Sequence, residues 1–211
     1  MLCLREYKFC MKKESTRILA EIIKNRRTRK PAQFSKQPPS KDLIKSLVDI
    51  SRHAPNHHRT EPARFYLLNE EKIRQVGRLF GETVAQSGQD SAVVEKAKRK
   101  TKEWGEAPGL IIVTCHTDQS SELVRKNPAV VDEDYATCSC ICQNLLLLLE
   151  SENLASKWST GPVWEHPDFN EVVGIKNPKC ERVVGLIFYG FSEQKVPPRK
   201  LESLQNHLIE Y

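Results

Sequence analysis

From Ser15 onward the apolar residues Ile18, Leu19, Ile22 and Ile23 recur at helical spacing, which predicts an amphipathic helix running into residues 25–30. Prolines mark residues 31–39 as a loop. Ser40 then caps a second helix whose apolar face is Leu43, Ile44, Leu47, Val48 and Ile50. That helix is expected to end at His53-Ala54-Pro55, because a residue before proline is pushed out of the helical region. Residues 64–68 read as a strand, and two polar helical stretches at 70–86 and 90–103 meet at Ser87-Gly88. Residues 109–115 form an unbroken apolar run of strand length, the pattern of a strand covered on both faces. A long helix follows at 132–153, and its second half is apolar nearly all round, so it is buried in a core or against a partner chain. A short strand at 155–159, a short helix at 167–173 and a buried strand at 182–189 complete the pattern. The polar tail after Val196-Pro197-Pro198 is placed to cross to a neighbouring subunit. Residues 1–14 read as an extension and residues 15–211 as a single α+β domain, a few buried strands flanked by helices.

With 39% hydrophobic and 28% charged residues over 211 positions, the chain has enough apolar residue for one core and is neither disordered nor fibrous. No run of about 18 apolar residues occurs, so no membrane span is expected. Seven cysteines, three of them at Cys138, Cys140 and Cys142 within one helix, do not form a framework of paired half-cystines. Cys138 and Cys142 share a helical face and Cys140 points elsewhere, so the set cannot close around one metal. The N-terminus lacks the apolar core of a secretory signal, which makes the cytoplasm the default compartment; a mitochondrial presequence is also compatible. The net charge of +6 is concentrated in residues 26–30 (RRTRK) and 96–102 (KAKRKTK). Such a balance attracts nucleic acid, an anionic membrane or a phosphorylated small molecule, and does not choose among them.

Three constellations carry candidate chemistry. Clustered guanidiniums at Arg26, Arg27 and Arg29, with the Thr28 hydroxyl, suit a phosphate through bidentate charge-assisted bonds, although a solvated helix end has the same composition. Residues 52–62 form a polar loop between a buried helix and a buried strand, rich in donors for a planar ligand. Metal binding by His53, His57 and His58 is not expected, because Pro55 breaks any shared helical face and no carboxylate or cysteine lies at a familiar spacing. At residues 156–162 a strand ends in a hydroxyl-rich turn, where Gly161 would let the backbone approach a ligand. There is no G-x-G-x-x-G opening a helix, no P-loop, no H-E-x-x-H and no G-x-S-x-G, which removes support for a Rossmann dehydrogenase, a P-loop enzyme and a serine hydrolase.

Taken in order, these segments resemble the FMN-dependent nitroreductase family, especially its small members. The resemblance rests on Arg26-Arg27-Thr28 after an early helix, Ala54-Pro55-Asn56-His57, Glu61-Pro62-Ala63 before a strand carrying Phe65, Lys157-Trp158-Ser159-Thr160-Gly161, and the closing run from Val183 to Gly190. It implies a nitroreductase-like fold, with a central mixed β-sheet flanked by helices in an entwined homodimer. It further implies that Arg26, Arg27 and Thr28 hold the FMN phosphate and ribityl chain. His57 and Glu61 would lie near the isoalloxazine, Trp158, Ser159 and Thr160 would form the turn facing it, and Arg199 would be a late phosphate ligand. The implied activity is FMN-dependent NAD(P)H oxidoreduction of nitro compounds or other small acceptors by ping-pong hydride transfer. Because the chemistry then belongs to flavin N5, no side chain is expected to be a dedicated catalytic acid or base. Neither a metal, a nucleic acid nor a membrane is implied as partner.

The chain departs from the family pattern at three places: Glu61 replaces a glutamine, Ala63 a tryptophan, and Ser159 the arginine of a W-R-S-G turn. A carboxylate beside the flavin disfavours its anionic reduced form unless an arginine such as Arg59 or Arg64 neutralises it. Two alternatives therefore stand beside the reductase: a flavin-binding protein without reductase activity, and a basic nucleic-acid-binding module. The second is opposed by 27 acidic residues and a 7% aromatic content with no stacking platform.

Overall fold

A computed structural model describes residues 13–211; residues 1–12, with Cys3, Cys10 and most of the expected extension, lie outside the described residues. Seven α-helices and four strands are described: α1 (Glu14–Asn25), α2 (Lys41–Ser51), β1 (Ala63–Leu67), α3 (Glu70–Ala85), α4 (Ser91–Gly105), β2 (Leu110–His116), α5 (Glu122–Lys126), α6 (Val130–Ser151), β3 (Ala155–Ser159), α7 (Phe169–Val173) and β4 (Glu181–Gly190). Among them no helix is long and apolar enough to cross a membrane.

The strands form one sheet in the order β1-β2-β4-β3. Every strand pair is antiparallel, where a mixed sheet was expected; the parallel component is a single bridge from Thr28 to Ser156. The two central strands are covered on both faces, as the run at 109–115 foretold. Ile111 and Val113 of β2 pack with Ile187 and Tyr189 of β4 under α2 and α6, whereas Leu110, Ile112, Leu186 and Phe188 face α3, α4 and α7. This two-residue alternation is what the strand period requires. Ser40 occupies the N-cap position of α2 as expected, but its side chain makes no capping hydrogen bond; side-chain caps form instead at α3 and α4, where Asn69 accepts from Lys72 N and Asp90 from Val93 N.

Helix α6 is the longest element and its second half is a core helix, with Leu145 and Leu149 fully buried. Each such leucine contributes about 2 kcal/mol relative to an exposed one. The face of α2 is narrower than expected. Ile44, Leu47 and Ser51 are buried at helical spacing, while Ile50 is 52% exposed, and the helix stops two residues before His53. Helix α1 is amphipathic as expected, yet it buries no residue against this chain, and Ile18, Leu19 and Ile23 remain about half exposed. The C-terminal tail likewise leaves Leu201, Leu204 and Ile209 exposed.

Candidate functional site

Helix α1 ends at Asn25, and Arg26 leaves the helix with ψ near 115°, turning the chain into an extended course along β3. Thr28 bridges to Ser156, and Arg29 N donates to Ser156 O at 3.0 Å. Arg29 is thereby a fastener. Its guanidinium reaches Glu150 near the end of α6 at 3.3 Å and the carbonyl of Gln194 in the tail at 3.2 Å. Arg26 and Arg27 are left for other duty. Arg26 is pulled below its ordinary arginine pKa, first by burial and then by the neighbouring charge of Arg27; Glu150 offsets this in part and Arg199 adds further repulsion. Cations therefore outnumber their acids here.

Polar atoms without partners sharpen the pattern. Among the described residues, Arg27 Nε, Ser156 Oγ and Ser159 Oγ are buried with no hydrogen-bond partner in the chain. Each such atom costs about 1–3 kcal/mol if left unpaired. Arg27 Nε and the two serine hydroxyls, on opposite faces of β3 by strand alternation, make this edge a cradle of unpaired polar groups that suits an anionic or hydroxyl-bearing ligand. Further along β3, the Trp158 indole donates to Val184 O at 3.2 Å, and Thr160 is exposed at the strand end. A Cβ at Gly161 would meet nothing within 4 Å, so the chain itself does not demand glycine in this open turn.

The second group lies on the loop between α2 and β1. Three non-glycine residues there adopt left-handed backbone conformations, His58 (φ 60°), Arg59 (φ 53°) and Glu61 (φ 48°). Each costs about 1–2 kcal/mol, so the surroundings must hold the loop in place. Buried Asp134 of α6 does much of this, accepting hydrogen bonds from Thr60 Oγ1 at 2.5 Å and from Thr117 Oγ1 at 2.6 Å. Thr137 Oγ1 donates to Pro55 O at 2.9 Å, and Asn56 Oδ1 accepts from Thr60 N at 3.2 Å. The Glu61 carboxylate pairs with Arg52 at 3.5 Å, whereas Arg64 donates to the Glu61 backbone carbonyl. Of the arginines near Glu61, then, Arg52 meets the charge, not Arg59 or Arg64. A cavity of about 490 Å³ opens beside Glu61, floored by Ile44, Phe65 and Ile141 and rimmed by Arg52 and Asn56.

The single chain unites some of the expected site residues and separates others. Arg26, Arg27, Thr28, Trp158, Ser159 and Thr160 share the β3 edge, and Arg199 acts on Arg26 there. His57 and Glu61 lie at the opposite sheet edge, where His57 meets Glu133. Glu133 and Glu150 are 17 residues apart on α6, about 25 Å at 1.5 Å per residue. Ser156 was included in the 156–162 turn without a site role, and Glu133 and Asp134 were not singled out from sequence. Ser156 had a signal in its place two residues before Trp158; the two acids had none, because they reach the loop only through the packing of α6.

The Lys96–Lys102 stretch carries no comparable cradle: it lies on α4, where Lys98 and Lys100 pair with Glu95 and Glu103. Comparison with known proteins finds relatives across nearly the whole chain. A Bacillus subtilis (strain 168) protein, provisionally named NAD(P)H nitroreductase YfhC, is 25% identical over 194 residues, covering 92% of this chain and 94% of its own. A nitroreductase-like family protein from Bacillus cereus has the same fold at a TM-score of 0.73 and 22% identity, covering 92% of this chain and 95% of its own. A nitroreductase with bound FMN from Bacteroides fragilis matches at a TM-score of 0.70 and 18% identity, covering 91% and 98%. The model of the Nitroreductase family matches residues 23–204, nearly the whole described chain, and the protein belongs to that family.

Proposed function

We propose that the protein binds FMN and uses it as a homodimer to pass reducing equivalents from NAD(P)H to a small acceptor. The observation that carries the proposal is the β3 edge, where Arg26 and Arg27, whose own Nε has no partner, crowd together near the unpartnered hydroxyls of Ser156 and Ser159. A phosphate with an adjoining polyol fits that donor set. The guanidiniums supply charge-assisted bonds, and Ser156 and Thr28 supply hydroxyls for the chain that follows. When bound, FMN supplies hydride acceptance and delivery in two half-reactions. The protein's share is to orient the group, and Trp158 with Ser159 sets the turn beside it.

The roughly 25 Å between the cradle and the His57–Glu61 loop supports the dimer. A second copy would bring its own loop to the first copy's cradle, which agrees with the uncovered apolar face of α1 and with the exposed leucines of the tail. The FMN-bound Bacteroides fragilis neighbour and the name of the Bacillus subtilis relative support the cofactor and the donor. A solved neighbour is an iodotyrosine deiodinase bound to FMN and 3-iodo-L-tyrosine, with a TM-score of 0.64 and 20% identity, so this fold does not by itself fix the acceptor.

The test is the visible spectrum of the purified protein before and after anaerobic addition of NADPH or NADH. Flavin bands that bleach are the expected result. Bands that persist would favour flavin binding without reductase activity, which the Glu61 and Ala63 departures also fit. No bands after incubation with FMN would refute the proposal. Arg27→Ala is expected to weaken FMN binding by about 10- to 150-fold, the equivalent of one lost charge-assisted bond of about 1.5–3 kcal/mol.

A further inference from the structure

We infer that His57, His58 and Glu133 form a binding site for a zinc-type divalent ion, fastening the loop between α2 and β1 to the first turns of α6. Sequence spacing argues against a metal, because Pro55 breaks any helical face shared by His53, His57 and His58 and no carboxylate or cysteine lies at a familiar ligand spacing. The fold supplies the third ligand from a distance: Glu133 stands 76 positions downstream of His57, and one ligand atom from each residue lies within 4.8 Å of the other two.

Three observations support coordination over a simple ion pair. First, the left-handed backbone at His58 turns two consecutive side chains to the same side. Their rings stack with centroids 4.1 Å apart, where an extended chain would send them to opposite sides. Second, Glu133 Oε2 lies 2.9 Å from His57 Nδ1 and 3.9 Å from His58 Nε2. These distances straddle the roughly 3.3 Å between ligands of a tetrahedral ion with bonds of 2.0–2.1 Å. Third, Glu133 Oε2 is buried and makes no aligned hydrogen bond, its only basic neighbours among the described residues being the two imidazoles within ion-pair distance. A carboxylate oxygen desolvated in this way needs a cation or a donor. An ion among the three atoms satisfies it.

Two imidazoles and one carboxylate are borderline ligands that suit zinc, with water completing a four-coordinate shell. Asn127 Nδ2 lies 3.4 Å from His58 Nε2 and has to swing aside, which its place on the loop after α5 allows. Within one chain the site lies toward the other end of α6 from the Arg26–Ser156 cradle; in the proposed dimer it would adjoin the partner's cradle, so zinc and flavin are read separately in the test. Its consequence is mechanical. The ion would add a third tie, beside Thr60–Asp134 and Pro55–Thr137, to the loop that carries Glu61.

The test is isothermal titration of untagged full-length protein with zinc ion, compared with His57→Ala, Glu133→Gln and a control, His207→Ala. Circular dichroism and the flavin spectrum are recorded on the same samples, so that loss of fold, of flavin and of zinc are read separately. The expected result is one zinc per chain, weakened tenfold or more by His57→Ala and by Glu133→Gln and unchanged by His207→Ala. Failure to bind zinc, or binding that survives both substitutions at the site, would overturn the inference and leave the three residues an ordinary ion pair.

Discussion

Gly185→Ala is expected to disturb the β3 turn from the neighbouring strand, by displacing the indole of Trp158. Gly185 belongs to a β-bulge: Val113 pairs with Gly185 and Thr114 with Val183, so Val184 is an extra residue on β4. The indole of Trp158 lies across this point, donating to Val184 O, and a Cβ on residue 185 would stand 2.0 Å from its Nε1 and 2.6 Å from Cδ1. Ordinary contact between heavy atoms needs about 3.5 Å, so the ring must retreat by more than about 1 Å and its hydrogen bond is lost. Overpacking of this kind costs about 1–3 kcal/mol and the bond about 1 kcal/mol. A total near 3 kcal/mol corresponds to roughly 6–12 °C in melting temperature for a chain of this size. The assay is thermal denaturation with a double-mutant cycle against Trp158→Ala. Removing the indole removes the clash, so Gly185→Ala should cost much less in the Trp158→Ala background than in the native one. If the two substitutions simply add, the indole is not what the new methyl group meets, and the reasoning fails.

Other consequences follow from the same structure. Asp134→Ala leaves the hydroxyls of Thr60 and Thr117 without their shared acceptor and should lower stability by about 3 kcal/mol, read by urea denaturation. The stability should also fall at alkaline pH. Burial pushes the Cys142 thiol up to about 12 from an ordinary 9.0, so the folded state holds its proton more tightly than the unfolded one. The contribution is then complete below pH 9 and is lost at about 1.4 kcal/mol per unit between pH 9 and 12. Tyr189, also raised to about 12 by burial, adds to the loss above pH 10; urea midpoints at pH 8 and pH 10.5 check the sign. Alkylation mapped by mass spectrometry should label exposed Cys140 well before buried Cys138 and Cys142 in the native protein. Glu61→Gln should raise the flavin midpoint potential, because Arg52 meets the exposed carboxylate only at 3.5 Å; an unchanged potential would show that the charge is already neutralised.

The parts of the fold legible in the sequence are those decided locally or by burial on every side. Strand β3 has the bounds read from its pattern, and β2 was visible because both its faces are covered. Strand direction was not legible, since antiparallel pairing is set by how α3 to α6 cross the sheet and not by composition along any one strand. Ile50 was misplaced because periodicity marks every apolar position near a helical stripe, whereas the neighbours of α2 cover Ile44, Leu47 and Ser51 fully, Leu43 and Val48 in part, and leave Ile50 exposed. In the candidate site, the basic segment and the β3 turn could be named residue by residue. Their separation from His57 and Glu61 could not, because it depends on the length of α6.

Helix α6 explains why this candidate site reads so differently in one dimension and in three. Near its start, Glu133 faces His57 and His58, and Asp134 grips Thr60; in its second half, Asn144 donates to Ser51 O; at its end, Glu150 holds Arg29. One rigid element thus sets both the loop bearing Glu61 and the segment bearing Arg26 to Thr28. Its polar positions make these attachments while Leu145 and Leu149 hold it in the core. A helix with only an apolar surface would pack equally well but fix neither segment. The acids on α6 that look like ordinary solubilising charge in the sequence therefore hold both segments in place, and the proposed function asks a second copy to bring its loop to the far end.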